Sequence, residues 1–427
     1  MSCIYNKLVR NGRKETNNLM FLMNVICVIM AVYLPTSKDK VIYEVNRIVF
    51  VWAVLIAIIC VILIKNECHL KRLIVSLTGI NAYMLIVTLI AANTYGSARL
   101  SVARFAPIIC LLFLCSIQIN HYPSFRNMEL LLNIISITAI VWNVLILANV
   151  QSVLEFTYNY FNQYAPNNGY YQLIVGHKPV MSFGVHTYAP YFYFFLFVLC
   201  FSTYKNKGNI IYIFYSVAYS VFTLFCVSTT GIAFFLLMIL FLLYEMRSRL
   251  SKTTLLTMCF IIFLIFMIIY RNFDSLYQRI IDNITNGDNS FVSRYSSDSV
   301  FNSNFRIITS SFGIGYNIVD ELHLGYSDSG YIVYLTMGNI PFMLSLYYNV
   351  FVFLKNNLTC FRTMMMIVIF SFEIALPATF NYRFSYMIIF VICYMGALTQ
   401  NYKSKTEDSV VKINNSSELA NVIVSYE

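Results

Sequence analysis

The chain has 427 residues; 59% are hydrophobic, only 11% are charged, and mean hydropathy is +0.68. A soluble domain carries roughly 25% charged residues, so the composition excludes one and describes an integral membrane protein. The net charge of +10 comes without a basic run interleaved with aromatics, which excludes a nucleic-acid partner.

Apolar segments follow one another at 18–34, 48–64, 73–92, 105–119, 130–150, 181–204, 210–228, 230–245, 253–270, 330–354, 358–376 and 384–400. Most reach or approach the roughly 20 residues that cross a bilayer core as a helix. The predicted fold class is an all-α polytopic membrane protein of about 12 transmembrane helices. Residues 1–400 form a single transmembrane domain and 401–427 a polar cytoplasmic tail. Between the seventh and eighth spans a tight turn is expected at Ser228-Thr229-Thr230-Gly231, with Gly231 making it sterically possible. The first span has no cleavage pattern after it and is expected to stay as an anchor. No internal repeat stands out.

Basic residues set the orientation. With the N-terminus inside, Lys7, Arg10, Arg13, Lys14, Lys65, Lys71, Arg72, Lys205, Lys207, Arg247, Arg249 and Lys252 fall on the cytoplasmic side. The same threading puts all 11 cysteines in spans or cytoplasmic segments, so no disulfide framework is indicated. It also makes 271–328 a large outer loop between the ninth and tenth helices. That loop is the longest stretch without a membrane-length apolar run, and a bundle of helices does not need it to stay folded, which points to chemistry or recognition there.

Two outer segments carry candidate chemistry. The first, 151–180 and the entry to the sixth span, is rich in Tyr and Asn, among them Tyr158, Tyr160, Asn162, Tyr164, Asn167 and Asn168. Aromatic faces stack on sugar rings and amides bond hydroxyls; an interfacial aromatic belt is the competing reading. His186 is expected about one turn inside the sixth span, where an imidazole needs a polar partner. It is a catalytic candidate or a satisfied structural histidine. The second segment runs from Arg306 through Gly313-Ile314-Gly315 and His323 to Asp328-Ser329-Gly330-Tyr331. Gly313 and Gly315 predict a backbone turn close to the membrane. Asp328 stands at the membrane entry of the tenth span, as a functional carboxylate or as a helix N-cap. His323, five positions earlier, is the first candidate for a general base.

Positive charge at outer span ends runs against the orientation bias. Arg47, Arg99, Arg104, Arg271, Arg306 and Arg383 form this pattern, and of them Arg99, Arg104, Arg306 and Arg383, with Lys178 and Arg294, are candidate ligands for phosphate oxygens. Headgroup snorkelling is the alternative for each. Glu373, near the outer end of the eleventh span, is one of few formal charges inside the spans. No nucleotide fingerprint, zinc motif or outer Asp-x-Asp pair occurs.

The opening of a mid-chain span by Gly184 to Pro190 is similar to the bacterial O-antigen polymerase and ligase superfamily. So are the Thr229-Thr230-Gly231 break and the run from Arg306 through Gly313-x-Gly315 and Asp328-Ser329-Gly330-Tyr331 to Gly338-Asn339-Ile340. The motif-bearing part covers 176–345. The ligase branch usually shows His-Asn where this chain has Asp328-Ser329, which favours the polymerase (Wzy) branch. The resemblance implies a glycosyltransferase at the outer face of the bacterial cytoplasmic membrane. It would join repeat units carried on undecaprenyl diphosphate, with no cofactor or metal. Catalytic candidates are then His323, Asp328 and His186, and substrate-binding candidates are Arg306, Arg99, Arg104, Lys178, Arg294 and Arg383. Implied partners are the lipid-linked glycan, membrane lipid and a chain-length regulator protein. An O-antigen ligase and a flippase or transporter are the alternatives.

Overall fold

The structure is a computed structural model. It describes residues 17–33, 55–56, 59, 67–95, 99–162, 178–181, 183, 188–226, 228–246, 307–308, 312–318, 329–374, 377–381 and 383–402. These residues are mostly helical. In chain order the longer helices among the described residues are α1 (Asn17–Tyr33), α2 (Ser76–Tyr95), α3 (Val102–Cys115), α4 (Phe125–Leu147), α5 (Gln151–Asn162), α6 (Tyr188–Lys207), α7 (Ile211–Phe225), α8 (Thr229–Met246), α9 (Gly330–Asn357), α10 (Arg362–Phe372) and α11 (Arg383–Tyr402), with a short helix Leu70–Val75 leading into α2. Among the described residues α2, α4, α9 and α11 are long and apolar enough to cross a membrane, and several shorter apolar helices accompany them. The expected segments 48–64 and 253–270 fall largely outside the described residues.

α6 and α11 form the centre. Every residue of α6 from Ala189 to Thr203 is buried, and α11 is enclosed over most of its length. The sequence of α6, YAPYFYFFLFVLCF, explains this: it is apolar all round, and such a helix has no face to give to a surface. Thr203 and Tyr394 join α6 to α11 through their hydroxyls. α4 packs on α6, with Asn143 Nδ2 donating to Tyr193 OH at 2.8 Å. Its opposite face exposes Leu130, Ile134, Ile137, Val141 and Val144 at helical spacing. Such an apolar stripe on the outside suits lipid rather than water.

Three expected features differ in detail. α6 runs from Tyr188 rather than 181; Met181 at φ 46° and Phe183, whose N donates to Val180 O at 2.9 Å, lie in a turn ahead of it. Pro190 sits in the first turn of α6, where its missing N–H costs nothing. The eleventh span is shorter than expected, because Phe361 at φ 49° delays α10 until Arg362. The segment after 150 is not a loop at its start. Asn149 adopts φ 58° and α5 folds back on α4, with Trp142 Nε1 donating to Thr157 Oγ1 at 2.9 Å.

The α7–α8 turn is present, but Gly231 does not make it. Ser228 caps α8 by accepting from Gly231 N at 2.9 Å. A Cβ on Gly231 would stand 2.6 Å from Thr223 O, so this glycine serves the close approach of two helices.

Two short antiparallel ladders tie loops at opposite ends of the bundle. β1 (Glu67–Cys68) pairs with β3 (Ile117–Gln118), and β2 (Arg99–Leu100) pairs with β4 (Asn317–Ile318). Asn357, at the end of α9, pins the first ladder by accepting from Ile119 N at 2.6 Å and donating to Ile117 O at 3.1 Å. The second ladder belongs to the candidate site.

Candidate functional site

The site begins with a break in α9. Gly338 (φ −149°, ψ 21°) and Asn339 (φ 58°, ψ −169°) leave the helical region, and Pro341 follows. In an unbroken helix the Thr336 and Met337 carbonyls would accept from residues 340 and 341. Proline has no N–H, and the turn at 338–339 swings Ile340 N onto Asn339 Oδ1 at 2.8 Å. Two carbonyls are thereby left for another partner.

The hairpin at 312–318 takes both. Ile314 N donates to Thr336 O at 3.0 Å, and Gly315 N donates to Met337 O at 2.7 Å. The approach requires glycine: Gly315 lies at φ 62°, and a Cβ there would meet Thr88 Oγ1 at 2.2 Å. α2 holds the other side. Thr88 Oγ1 accepts from Tyr316 N at 3.0 Å, Thr88 O accepts from Asn317 Nδ2 at 2.8 Å, and Tyr316 OH donates to Asn81 Oδ1 at 2.7 Å. The hairpin is buried from Gly313 to Asn317. The amides of Ile314, Gly315, Tyr316 and Asn317 all donate to protein acceptors, as non-helical chain inside a membrane bundle requires.

The arginine-bearing strand joins the same unit. Arg99 pairs with Ile318 and Leu100 with Asn317, Ser101 N donates to Tyr316 O at 2.9 Å, and Phe105 meets Tyr316 edge to face at 5.0 Å. Arg104, in the first turn of α3, is partly buried beside Phe105. Ile307 is buried with Ala91 and Ile314. Asn339 Nδ2 donates to Ile308 O at 3.1 Å. The chain after Arg306, the hairpin, the Arg99 strand and the α9 break thus pack as one body.

A second cluster sits at the start of α9, about two turns or roughly 11 Å from the break. Glu373, at the end of α10, is 0% exposed. Its Oε1 accepts from Thr379 N at 2.6 Å and its Oε2 from Tyr347 OH at 2.8 Å. Its main-chain oxygen accepts from Gly330 N at 2.7 Å and Ser329 Oγ at 3.3 Å. A Cβ on Gly330 would fall 1.8 Å from Glu373 Oε2, so Gly330 is fixed by the carboxylate. Tyr331, Tyr334 and Tyr191 lie within electrostatic reach of Glu373. Tyr191 stacks on Phe372 at 4.1 Å. No cation pairs with Glu373 among the described residues.

The N-cap of α9 is Ser329. The competing reading of Asp328 as the cap therefore loses its position to the next residue.

Of the other sequence-based candidates, Lys178 is partly buried at the head of a turn whose Pro179 O accepts from Tyr193 OH at 2.6 Å. Arg383 is 1% exposed; its Nη1 donates to Ala31 O at 3.3 Å and its guanidinium lies 5.5 Å from the Phe183 ring centre. In this arrangement Arg383 meets the chain rather than a surface. The side chain of Arg99, and His186, Arg294, Arg306, His323 and Asp328 altogether, lie outside the described residues.

Sequence reasoning gave Gly313, Gly315, Gly338 and Asn339 as separate motif positions but missed Thr88 and Pro341. Pro341 after Gly338-Asn339 was the readable signal, since it frees a helical carbonyl. Thr88 had none, being one hydroxyl in an apolar span.

No protein-family model, characterised protein or solved structure matches the chain.

Proposed function

We propose that the protein is a Wzy-type polysaccharide polymerase of the bacterial cytoplasmic membrane, acting at its outer face on undecaprenyl-diphosphate-linked repeat units. The observation that carries this reading is the hairpin dock. Gly313, Gly315, Gly338 and Asn339, which underlie the resemblance, belong to one buried unit that also holds the Arg99 strand and the chain after Arg306. Such a unit holds 307–308 and 312–318, the described part of the polar segment, at one end of an apolar bundle, which is where chemistry on a lipid-anchored sugar must occur.

In the proposed reaction an acceptor hydroxyl oxygen forms a bond to the anomeric carbon of the donor glycan. The bond from that carbon to the diphosphate oxygen breaks, and undecaprenyl diphosphate leaves with the electron pair. The hydroxyl proton passes to a base, for which His323, Asp328 and His186 are the candidates. Charge growing on the leaving group is met by cations. Arg99, Arg104, Arg294 and Arg306 are the arginine candidates for that work, with Lys178 beside them. The donor linkage supplies the driving force, so no separate energy source is needed, and the proposed step calls on no metal or cofactor. A chain-length regulator protein is the expected partner.

A lipid-linked oligosaccharide transporter is the second reading, and Glu373 favours it. A fully buried carboxyl inside a helical bundle is a functional candidate by default. Deletion of the gene separates the two. A polymerase mutant still exports single repeat units and caps its acceptor with one unit; a flippase mutant accumulates lipid-linked units on the cytoplasmic side. The second pattern overturns the polymerase reading. An O-antigen ligase, the remaining alternative, would leave free polymer on undecaprenyl diphosphate.

A further inference from the structure

Asn339 occupies a backbone conformation that belongs to glycine. At φ 58° and ψ −169° it lies outside the left-handed helical region that asparagine tolerates, in a strained region populated almost only by glycine. The break in α9 does not by itself require a side chain here. Glycine would bend the chain at lower cost, and the preceding residue is already Gly338. The side chain must therefore do something that the bend does not.

It makes two bonds. Oδ1 accepts from Ile340 N at 2.8 Å and restarts the helix; Nδ2 donates to Ile308 O at 3.1 Å and ties down the chain two residues after Arg306. The amide is thus clamped in one orientation, oxygen to an N–H and nitrogen to a carbonyl. Ile308 is held from below by the same body that holds the hairpin, since Ile307 packs on Ile314 and Ala91. The tether runs to the polar segment rather than to another part of the bundle.

Resting on the polymerase reading, we propose that Asn339 is a positioning residue for glycosyl transfer. Its amide fixes the chain that follows Arg306 against the break in α9, and strain in its own backbone is the cost of that placement. It touches neither sugar nor diphosphate; it acts through the segment it holds.

The strain makes a clean test possible. Asn339→Gly removes both side-chain bonds but relaxes the backbone, so the melting temperature of the full-length protein in detergent should hold or rise. Asn339→Asp keeps an oxygen that accepts from Ile340 N and turns the donor to Ile308 O into an acceptor that cannot bond it. Both variants should lower kcat for undecaprenyl-diphosphate-linked repeat units, extracted from the same strain, by roughly 10–100-fold, as expected when a reacting group is misplaced by about 1 Å. The polymer ladder in cells should collapse to short chains at normal protein level.

Normal kcat per folded molecule in Asn339→Gly overturns the proposal. So does a loss that merely follows a drop in melting temperature or folded protein, because Asn339 would then be structural only. Full activity in Asn339→Asp overturns the role given to the Ile308 tether. If the wild-type gene fails to restore any polymer to a deletion strain, the polymerase reading itself falls, a result distinct from all of these.

Discussion

The Gly315 amide lies 2.7 Å from the Met337 carbonyl, and it has that oxygen because Pro341 offers it no N–H. One imino acid in α9 thus determines where a hairpin from a distant part of the chain can dock. Met337 O would otherwise belong to the helix.

Restoring the N–H should weaken the dock. Pro341→Ala gives residue 341 a donor that competes for Met337 O. Amide hydrogen exchange at Ile314, Gly315 and Tyr316 should speed up, with less change in α4. Unaltered protection at these amides would show that the proline does not govern docking.

Gly315→Ala acts from the other side. Its Cβ would fall 2.2 Å from Thr88 Oγ1 at a φ of 62°, combining steric conflict with backbone strain. Overpacking alone costs about 1–3 kcal/mol. A clear drop in melting temperature and loss of polymer should follow. Thr88→Ser, which keeps the acceptor oxygen, should be much milder. Equal thermal stability in Gly315→Ala and wild type would contradict the close contact.

Glu373 should respond to shape and hydrogen bonding together. Glu373→Ala leaves Tyr347 OH and Thr379 N buried without an acceptor, at about 1–3 kcal/mol for each group. Glu373→Gln keeps the volume and one carbonyl oxygen, and should lose less stability than Glu373→Ala. Gly330→Ala should be as damaging as Glu373→Ala, since its Cβ meets the same carboxylate oxygen. Measured melting temperatures that place Glu373→Gln at or below Glu373→Ala would show that the carboxyl is not held as described.

Orientation can be read from the two ends of α4. Arg126 and Asn149 are exposed at opposite ends of this helix. In a cysteine-free background, a cysteine at Asn149 should react with an impermeant maleimide on intact cells. One at Arg126 should react only after permeabilisation. The reverse pattern would invert the orientation and place the hairpin dock on the cytoplasmic side.

Asp328 offers a further check on the proposed chemistry. Ser329 holds the N-cap position of α9, so Asp328→Asn removes no cap and should change the stability by no more than about 0.5 kcal/mol. If Asp328 serves the base, polymer should nevertheless disappear. Retained polymer in both Asp328→Asn and His323→Ala would leave His186 as the remaining candidate.

What the sequence determined by itself is the solvent of this protein. Apolar runs of bilayer length allow only helices there, because an unpaired peptide group is too costly in hydrocarbon. The helices α1, α4 and α11 accordingly fall within a few residues of their expected bounds. The buried state of α6 is also legible, in its unbroken apolar and aromatic run. The breaks were less so: Met181, Phe361 and Asn149 take positive φ without being glycine, which local preference does not foretell. Pro341 marks a freed carbonyl, but the meeting of Ile314, Gly315 and Tyr316 with Thr336, Met337 and Thr88 was not legible. Two of those bonds join backbone atoms from distant parts of the chain, which are the same in every residue, and the third ends on one hydroxyl in an apolar span. Only the tertiary structure, which brings the freed carbonyls of α9 and the hydroxyl of α2 to one place, decides which amides they accept.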